Sequence, residues 1–549
     1  MGISTFPAAS AGGITARTLK QKVFNTSGTF TYPTSSNFDG TVEVTVVAGG
    51  GAGGGAFNRS GSTQQFLIGA GGGGQVISKK QLSILNAGNQ TVTVGEGGAG
   101  YLFTGGLFGH ISSFGSGYIR NLYPDPALTK SVLVHRESSG YQDYPESSSV
   151  DQSYENPTVL LWSSGSNPPQ PPAGNTYVQM QLGNSQTAYS QYMSVKGSIS
   201  YRVIYSHTFY SGGSNVAVYA VVQWYNSSGI IITSDSLTGF TTQSASGTWS
   251  TVTSTLTSPS TAAYARINWT GGGTASFTLN GIQFAETAAN VTTVAYGGAS
   301  GYAWTGVPDN SYTVGENETL VAAQGGGGGW GICTRVSGNS TMHYLPGHPG
   351  YTMGGMSMGV NGSSAAGTSN IHISGCGAGA GGDAMGPEGS TMLGSGETYK
   401  IIEGSAKNGF LNGSNGTEYT NWHAAINTAA AFTGGPSMNI SMTANNIPYF
   451  NFGENGHGID GYGYGGSGAG KTGVTYYSDR FKISGAPIPN TMVSHGAGYT
   501  NSTAQQIAFR GRPNSGNGGN GWFNSFATNT STYSGPRGGS GVVIVRWYE

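Results

Sequence analysis

The chain has 549 residues, a formal net charge of −1, 97 glycines and only 8% charged residues, whereas globular proteins average roughly 7% glycine and about 25% charged residues. The near-zero charge argues against nucleic acid or an anionic membrane as a partner, and no run approaches the ~18 apolar residues of a membrane span. Aromatic residues make up 11% of the chain, and disordered segments are usually poor in aromatics. The composition therefore favours a neutral, rigid, β-rich protein without membrane insertion.

The two ends of the sequence couple an apolar strand to a glycine run. Residues 1–22 are small and polar, with basic residues late, which is typical of a docking segment or a frayed end. No apolar signal-peptide core is readable there, so we expect synthesis in a cytoplasm. An alternating strand over 23–33 precedes VEVTVV (42–47), which runs into AGGGAGGGA (48–56), and at the other end GGSG (538–541) runs into VVIVRWY (542–548). We assign 23–122 and 451–549 to the first and closing parts of a glycine-rich domain.

Glycine runs recur between these ends, at 69–74, 95–100, 324–331, 375–382 and 461–470. Glycine loses much backbone entropy on folding, so such runs persist where the geometry requires them. Polyproline-II-like helices make no internal hydrogen bonds, and without side chains several can lie close together and bond laterally. Collagen is excluded because no strict G-x-y period is kept, and flexible linkers do not recur between strands and aromatics. We predict a body of polyglycine-II-like helices plus strands.

Between residues 123 and 290 glycine thins and apolar residues alternate with polar ones. Short strands at about 8–12-residue spacing, separated by turn signals, indicate a β-sandwich. We predict eight strands in this insertion, at 158–162, 176–183, 200–210, 215–226, 229–237, 249–259, 262–270 and 275–284.

The rest of the chain continues the glycine-rich domain, with a second, loop-rich part over 291–396 and a small insertion over 397–450. That insertion holds the one convincing helix candidate, Asn421–Phe432, with Asn421 as N-cap and Gly434-Gly435-Pro436 as a stop signal. Two cysteines, Cys333 and Cys376, are too few for a disulfide framework; the alternatives are that they pair with each other or are free thiols, and we favour free thiols. The predicted fold class is mainly β with very little helix.

Two motifs suggest chemistry, and we favour neither. Residues 465–472, GGSGAGKT, match the P-loop pattern, but no apolar strand precedes them and a strand-like segment follows, where a phosphate site needs a helix. A soft-metal site is the other candidate, although glycine turns and adaptable methionine packing explain the same residues, which are His343, His348, Met353, Met356 and Met358. Neither paired carboxylates nor a nucleophile elbow is found. We therefore predict no catalytic residues, no metal ligands and no cofactor.

Strand alternation separates two faces of the predicted sandwich. Val216, Val218, Ala220, Val222 and Trp224 share one face of their strand, as do Val178, Met180 and Leu182, and Ala265, Ile267 and Trp269. The opposite positions carry Tyr, Gln, Arg and Asn, whose flat rings and directional hydrogen bonds suit a sugar. The alternative is that this face packs on a neighbouring subunit or on the glycine body. The candidate saccharide site comprises Tyr177, Gln179, Gln181, Tyr219, Gln223, Tyr225, Tyr264, Arg266 and Asn268.

The opening motifs at 23–33 and 42–55 and the closing GGSGVVIVRWYE (538–549) resemble the glycine-rich domain of tail-fibre and minor tail proteins of tailed bacteriophages. The resemblance implies a virion protein at the tail tip or fibre end, often a host-receptor adhesin and often a homotrimer. In some adhesins of this type, stacked polyglycine-II helices carry variable tip loops that touch the receptor. By that resemblance the tip-loop candidates are Trp330, Tyr344, Tyr351, Trp422, Tyr462, Tyr464 and Trp522.

The segment from Ser200 to Phe284, above all WSTVTSTLTSP, YARINW and LNGIQF, is similar to a carbohydrate-binding-module jelly roll. Such modules often hold a structural Ca²⁺, but no acidic cluster here identifies its ligands, and the pattern supplies no hydrolase site. We therefore predict non-enzymatic recognition of a host-surface glycan or receptor, with other tail proteins as partners. The alternatives are a purely structural minor tail or decoration protein and a cell-wall or capsule depolymerase.

Overall fold

A computed structural model describes residues 17–58, 64–85, 87–100, 105–128, 192–211, 218–237, 249–272, 275–306, 308, 311–329, 510–519 and 535–549, and shorter segments, mostly single strands, between 135 and 190 and between 331 and 533. Among these residues nearly every element is a strand, and the one helical element is the short 3-10 turn Thr287–Ala289. This confirms the mainly β fold class with very little helix. Within the described ranges no helix is long and apolar enough to span a membrane. The predicted helix Asn421–Phe432 lies outside them.

The two ends of the chain meet in one antiparallel sheet, the base sheet. Thr18 N–H donates to the Glu549 carbonyl at 2.6 Å, and Glu549 N–H donates back at 3.0 Å. The strands of the base sheet lie in the order Leu19–Phe24, Val542–Tyr548, Thr41–Val47 and Val76–Ser83. The C-terminal strand is therefore central, and the assignment of residues 19–22 to a separate docking segment is wrong, because they form the outer strand of this sheet.

A second sheet covers one face of the base sheet, and the apolar core of the base lies between them. The second sheet consists of Gly28–Phe30, Gln90–Thr93, Ser112–Phe114 and Val321–Ala323. Alternate residues of the base strands, Val42, Val44 and Val46, point into this core, as do Val543 and Val545. Phe30 packs edge-on against Phe114 and Trp547, at centroid distances of 5.8 and 5.1 Å. The apolar alternation noted in the sequence thus positions both sheets.

The glycine run 48–54 leaves the base sheet as an extended helix whose N–H groups bond laterally with a period of three. Those of Ala48, Gly51 and Gly54 donate to the carbonyls of residues 75, 72 and 69 at 2.8–3.0 Å. Those of Gly49 and Ala52 donate to residues 110 and 107, and those of Gly50 and Gly53 to residues 539 and 536. Three residues per turn without internal bonds is the polyproline-II geometry.

The carbonyls of the same run accept hydrogen bonds from three further directions. Gly49 and Ala52 accept from the N–H groups of residues 326 and 329, Gly50 accepts from residue 98, and Gly51 accepts from residue 519. One central helix is thus bonded to six surrounding segments, and the backbone is satisfied without side chains. This confirms the predicted polyglycine-II-like body.

Only glycine fits at the most crowded points of this body. A Cβ on Gly51 would lie 1.9 Å from the Gly327 carbonyl oxygen, and one on Gly328 would lie 1.6 Å from that of Gly106. The obstructing atoms are backbone atoms, which no rotamer change can move away. Glycine is required here by close approach, as the sequence indicated.

Loops at the far end of the body form two small sheets, which we call the tip sheets. The chain reaches them directly from run 48–54 and returns through run 69–75. One contains Met342–Leu345, Gly331–Thr334, Ala56–Asn58 and Ser531–Tyr533, and the other contains Met358–Asn361, Gln64–Leu67 and Phe523–Ser525. Smaller sheets elsewhere pair Tyr302–Trp304 with Thr313–Gly315, Ile371–Ile373 and Thr475–Ser478 with Ala469–Thr472, Thr398–Ile402 with Ser437–Ser441, and Lys482–Ile483 with Ala486–Pro487.

The insertion is a jelly-roll sandwich of two antiparallel sheets. The front sheet has the strand order Ile231–Ser236, Val218–Tyr225, Tyr264–Gly271, Thr187–Tyr189 and His135–Glu137, with Met193–Ser194 also pairing on Tyr264–Gly271. The back sheet has the order Leu160–Ser163, Thr176–Leu182, Ala275–Glu286, Ser200–Ser211 and Ser250–Thr257. All eight strands predicted in this region are present.

The inward faces of the jelly roll agree with the predicted alternation. Val218, Ala220, Val222 and Trp224 are buried in its core, together with Ala265, Ile267 and Trp269. The same core continues into the glycine-rich part of the chain through Ile111, Tyr312 and Ala322. The jelly roll is therefore packed against the body that carries it.

Candidate functional site

The nine predicted saccharide residues do not share one surface. Strand Thr176–Leu182, which carries Tyr177, Gln179 and Gln181, belongs to the back sheet, whereas the other six residues belong to the front sheet. Tyr177 is also buried, with its ring edge-on to Trp249 at 6.1 Å. The single nine-residue surface is therefore wrong, because alternation within a strand gives its outward face but does not say which sheet the strand joins.

The lower end of the front sheet's outer face packs against the glycine body, and we call this contact the mount. Tyr225 and Tyr264, both predicted to face a ligand, are buried in a cluster with Ala99, Leu107, Phe108 and Tyr192. The Tyr264 ring lies edge-on to Phe108 at 5.1 Å, and its hydroxyl donates to the Phe108 carbonyl at 3.1 Å. Burial raises the pKa of Tyr264. The predicted exposure of these two tyrosines is wrong, and packing on the glycine body, the stated alternative, holds for them.

His110 joins the same mount from the glycine body. Its Nδ1 lies 3.0 Å from the Ser194 hydroxyl, and its ring lies 4.6 Å from that of Tyr264. The carbonyl of His110 accepts the N–H of Gly49. One residue thus links the central glycine helix to the front sheet of the jelly roll.

Arg266 occupies the middle of the outer face and is 5% exposed. Its guanidinium lies over the Tyr189 ring at 3.7 Å, with Tyr192 at 5.0 Å and Tyr225 at 5.3 Å. Such cation–π contacts stabilise a desolvated cation by about 2 kcal/mol. Arg266 is therefore a buried support beneath the surface, and its predicted outward exposure is wrong, as is that of Asn268, which is 7% exposed.

The upper end of the outer face remains open. Tyr219 is 61% exposed, and Thr270 lies directly opposite it on the neighbouring strand. The Thr270 hydroxyl lies 3.2 Å from that of Thr187 and donates to the Asn268 side-chain oxygen at 3.3 Å. Val221 and Gln223 are half-buried on the same face. We call this surface the open face and define it as Tyr219, Val221, Gln223 and Thr270. Val221 and Thr270 are the residues that the sequence argument missed.

The seven tip-loop candidates separate into four groups. Tyr351 and Tyr462 pack with Val47, Val76 and Val542, where the glycine runs leave the base sheet, so their placement at the tip is wrong. Tyr464 is half-buried within the glycine body, where its carbonyl accepts the Gly518 N–H at 2.8 Å. Tyr344 lies on a strand of the first tip sheet. Trp330, Trp422 and Trp522 lie outside the described residues.

The structure also bears on the two chemical motifs. Ala469–Thr472, the end of the P-loop match, forms a strand that pairs with Ile371–Ile373 and Thr475–Ser478, so no helix N-terminus follows it. In the described part of the chain no group of three or more His, Cys, Asp or Glu side chains is placed to hold a metal ion. Of the five soft-metal candidates, His343 and Met358 lie on strands, and His348, Met353 and Met356 lie outside the described residues.

Comparison with known families and structures gives partial matches. A family model described as a glycine-rich domain matches residues 25–251, which is under half of the chain. A comparison of the chain with curated protein sequences found no match. The chain is similar in structure to the xylan-binding domain of a family 22 carbohydrate-binding module, at 14% identity, with a TM-score of 0.22, over 32% of this chain and 98% of that one.

Two further structures give comparable values. A galactotriose-bound family 61 carbohydrate-binding module matches at 12% identity and a TM-score of 0.22, over 30% of this chain and 97% of that one. The enzymatically active domain of tailspike protein 4 from bacteriophage CBA120 matches at 8% identity and a TM-score of 0.22, over 30% of this chain and 21% of that one. The match to a Clostridium thermocellum xylanase with its binding module covers 28% of that chain. This chain thus spans about a quarter of the length of these last two proteins.

The buried histidines predict a pH-dependent stability. Burial lowers the pKa of His110 to about 4, with Arg537 adding to the shift, and burial also lowers the pKa of His207 to about 4. In the unfolded chain these histidines are protonated below about pH 6.5, whereas in the folded protein they stay neutral down to about pH 4. The free energy of unfolding is therefore highest above pH 6.5 and falls as the pH drops to 4. The expected loss is on the order of 2–3 kcal/mol per histidine.

Urea unfolding midpoints at pH 7, 5.5 and 4 measure this loss. Replacing both residues, His110→Asn with His207→Asn, removes the slope in that range. The lowered pKa values of Asp39 and Asp460 affect stability only at lower pH, where those carboxylates protonate. A wild-type midpoint that stays level from pH 7 to 4 would contradict the assignment.

Proposed function

We propose that this protein binds saccharide on a bacterial cell surface through the open face of its jelly roll, as a non-enzymatic recognition protein of a phage tail. The observation that carries the proposal is Tyr219, a 61%-exposed tyrosine set among hydroxyl and amide groups at the open end of the front sheet's outer face. An exposed aromatic ring stacks on the C–H face of a sugar, while neighbouring polar groups bond its hydroxyls. In this proposal the partners are a host glycan and other tail proteins, and the chain acts in the virion as a homotrimer.

The mount supports the same proposal. A binding surface is most effective when rigid elements hold it. The lower end of the front sheet is fixed to the glycine body through Tyr264, Phe108 and His110. The central helix of that body is in turn hydrogen-bonded through its backbone to six surrounding segments. The open face therefore keeps a constant orientation relative to the base, where the two ends of the chain emerge.

A purely structural tail component is the second candidate, and the burial of Tyr225 and Tyr264 favours it. On that hypothesis the polar outer face serves only to pack the jelly roll on the glycine body. It predicts that the purified chain is not retained by host cells and does not compete with phage adsorption.

We expect Tyr219→Ala to weaken binding to bacterial surface polysaccharide by about 5- to 30-fold, because losing a stacked ring costs about 1–2 kcal/mol. The full chain is measured against immobilised capsule, O-antigen and cell-wall polysaccharide, and against whole cells for adsorption inhibition. Tyr548→Ala is the matched control, since Tyr548 is 51% exposed but lies on the base sheet. The absence of retention on any of these polysaccharides would refute the proposal.

A further inference from the structure

The side-chain amide of Gln223 is held in one orientation. The Nε–H of Arg266 donates to the Gln223 Oε1 at 3.0 Å, and the hydroxyl of Tyr225 donates to the same oxygen at 2.7 Å. A guanidinium can only donate hydrogen bonds, so the Gln223 atom that it contacts is the carbonyl oxygen. Arg266 and Tyr225 are themselves held by the aromatic cluster of the mount. The orientation of Gln223 is therefore set from beneath the surface.

The other end of the same amide faces outward. Gln223 is half-buried, and its Nε2 neither bonds to another described residue nor belongs to the fully buried polar atoms without a partner. Asn268 on the next strand is buried, and its Oδ1 likewise accepts a hydrogen bond within the protein, from Thr270. Asn268 lies opposite Val221 and Gln223 lies opposite Arg266, so Gln223 and Asn268 are diagonal neighbours whose Cα atoms lie about 7–8 Å apart. Both have their acceptor oxygens engaged within the protein.

Gln223 therefore presents a hydrogen-bond donor, its Nε2, at the centre of the open face, while its acceptor oxygen is engaged below the surface. A sugar hydroxyl can accept a bond there, but its own proton then needs an acceptor, and the amide oxygens of Gln223 and Asn268 already accept hydrogen bonds within the protein. An oxygen atom that carries no hydrogen can only accept hydrogen bonds, so it needs no further acceptor nearby. Carboxylates and amide carbonyls are such groups.

We propose that the open face selects saccharides with an acceptor-only oxygen group, either an N-acetyl carbonyl or a uronate carboxylate, and that Gln223 is the specificity-determining residue. This rests on the proposed saccharide-binding function and adds the chemical class of the sugar. Arg266 is a positioning residue, because it acts through the Gln223 carbonyl.

The test is calorimetric titration of the full chain with pairs of trisaccharides. Triacetylchitotriose is compared with cellotriose, which carries hydroxyl in place of acetamido, and trigalacturonate is compared with neutral α-1,4-galactotriose. We expect one member bearing an acceptor-only group to bind about tenfold more tightly than its neutral match, the effect of one hydrogen bond worth about 1.4 kcal/mol. The pair that shows the preference identifies the source of the oxygen.

Gln223→Glu separates specificity from folding. The glutamate still accepts from Arg266 and Tyr225, so the thermal midpoint should stay near that of the wild type, while the outward donor is lost. We expect the tenfold preference to disappear and trigalacturonate to bind more weakly than its neutral match. Gln21→Glu is the matched control, because Gln21 Oε1 accepts from Arg546 Nε at 2.8 Å in the same cross-strand arrangement on the base sheet.

Three outcomes overturn the inference: equal binding within both pairs, an unchanged preference in Gln223→Glu, or no binding of any trisaccharide. None of them decides the proposed function, which depends on polysaccharide binding and its loss in Tyr219→Ala. If polysaccharide is bound through Tyr219 without the trisaccharide preference, only the assignment of sugar class fails.

Discussion

Gly51→Ala should destabilise the protein by more than about 4 kcal/mol, a large effect for a change of one methyl group. The added Cβ would lie 1.9 Å from the Gly327 carbonyl oxygen and 2.4 Å from its carbonyl carbon. The two helices can separate only by breaking the lateral bonds between them, in which Gly326 N–H donates to the Gly49 carbonyl and Gly329 N–H donates to the Ala52 carbonyl. Each buried group left unpaired costs about 1–3 kcal/mol. Urea unfolding of the purified variant measures the loss.

Gly28→Ala is the matched control for this substitution. A Cβ on Gly28 meets only the Phe24 ring at 3.8 Å, an ordinary contact distance, and Gly28 lies in a strand rather than in the glycine body. We expect its free energy of unfolding to change by less than about 1 kcal/mol. Equal stability losses in the two variants would mean that glycine in the body is not required by close packing.

The second large effect is expected at the C-terminal strand. Val543 is fully buried in the core of the base and pairs with Phe24 on one side and Val46 on the other. Val543→Asp places a carboxylate among Phe30, Val44 and Phe114, where an isolated charge is strongly disfavoured. We expect a loss of at least about 4 kcal/mol, or failure to accumulate as folded protein.

Val23→Asp is the control on the adjacent strand. Val23 is 45% exposed, so the carboxylate remains in water and the change should stay within about 1 kcal/mol. Thermal and urea midpoints of both variants make the comparison. If Val543→Asp were as stable as Val23→Asp, the central position of the C-terminal strand would be wrong.

Much of the fold was predictable because its signals are local. The jelly-roll strands follow from apolar alternation, as in Val218, Ala220, Val222 and Trp224, and their bounds agree to within about three residues. The glycine body follows from the recurrence of runs that nothing but close packing would explain. In both cases the residues that form the sequence pattern are the same residues that pack in the core or hydrogen-bond in the glycine body.

The candidate site was predictable only in part, because it depends on which distant segments cover a face. Tyr219 and Tyr225 occupy equivalent outward positions on one strand, yet Tyr219 is exposed and Tyr225 is buried. The difference comes from Phe108 and Leu107, more than 100 residues away in the sequence. Tyr351 and Tyr462 pack at the base for the same kind of reason. Single-strand patterns carry no information about these contacts.

The central place of the last strand has a consequence for biosynthesis. The strand Thr41–Val47 leaves the ribosome about 500 residues before its neighbour Val542–Tyr548, a delay of roughly 25 to 100 seconds at ~5–20 residues per second. During that time Val42, Val44 and Val46 have no C-terminal partner. The base sheet of the nascent chain therefore stays incomplete until Val542–Tyr548 has been synthesised and has left the ribosome.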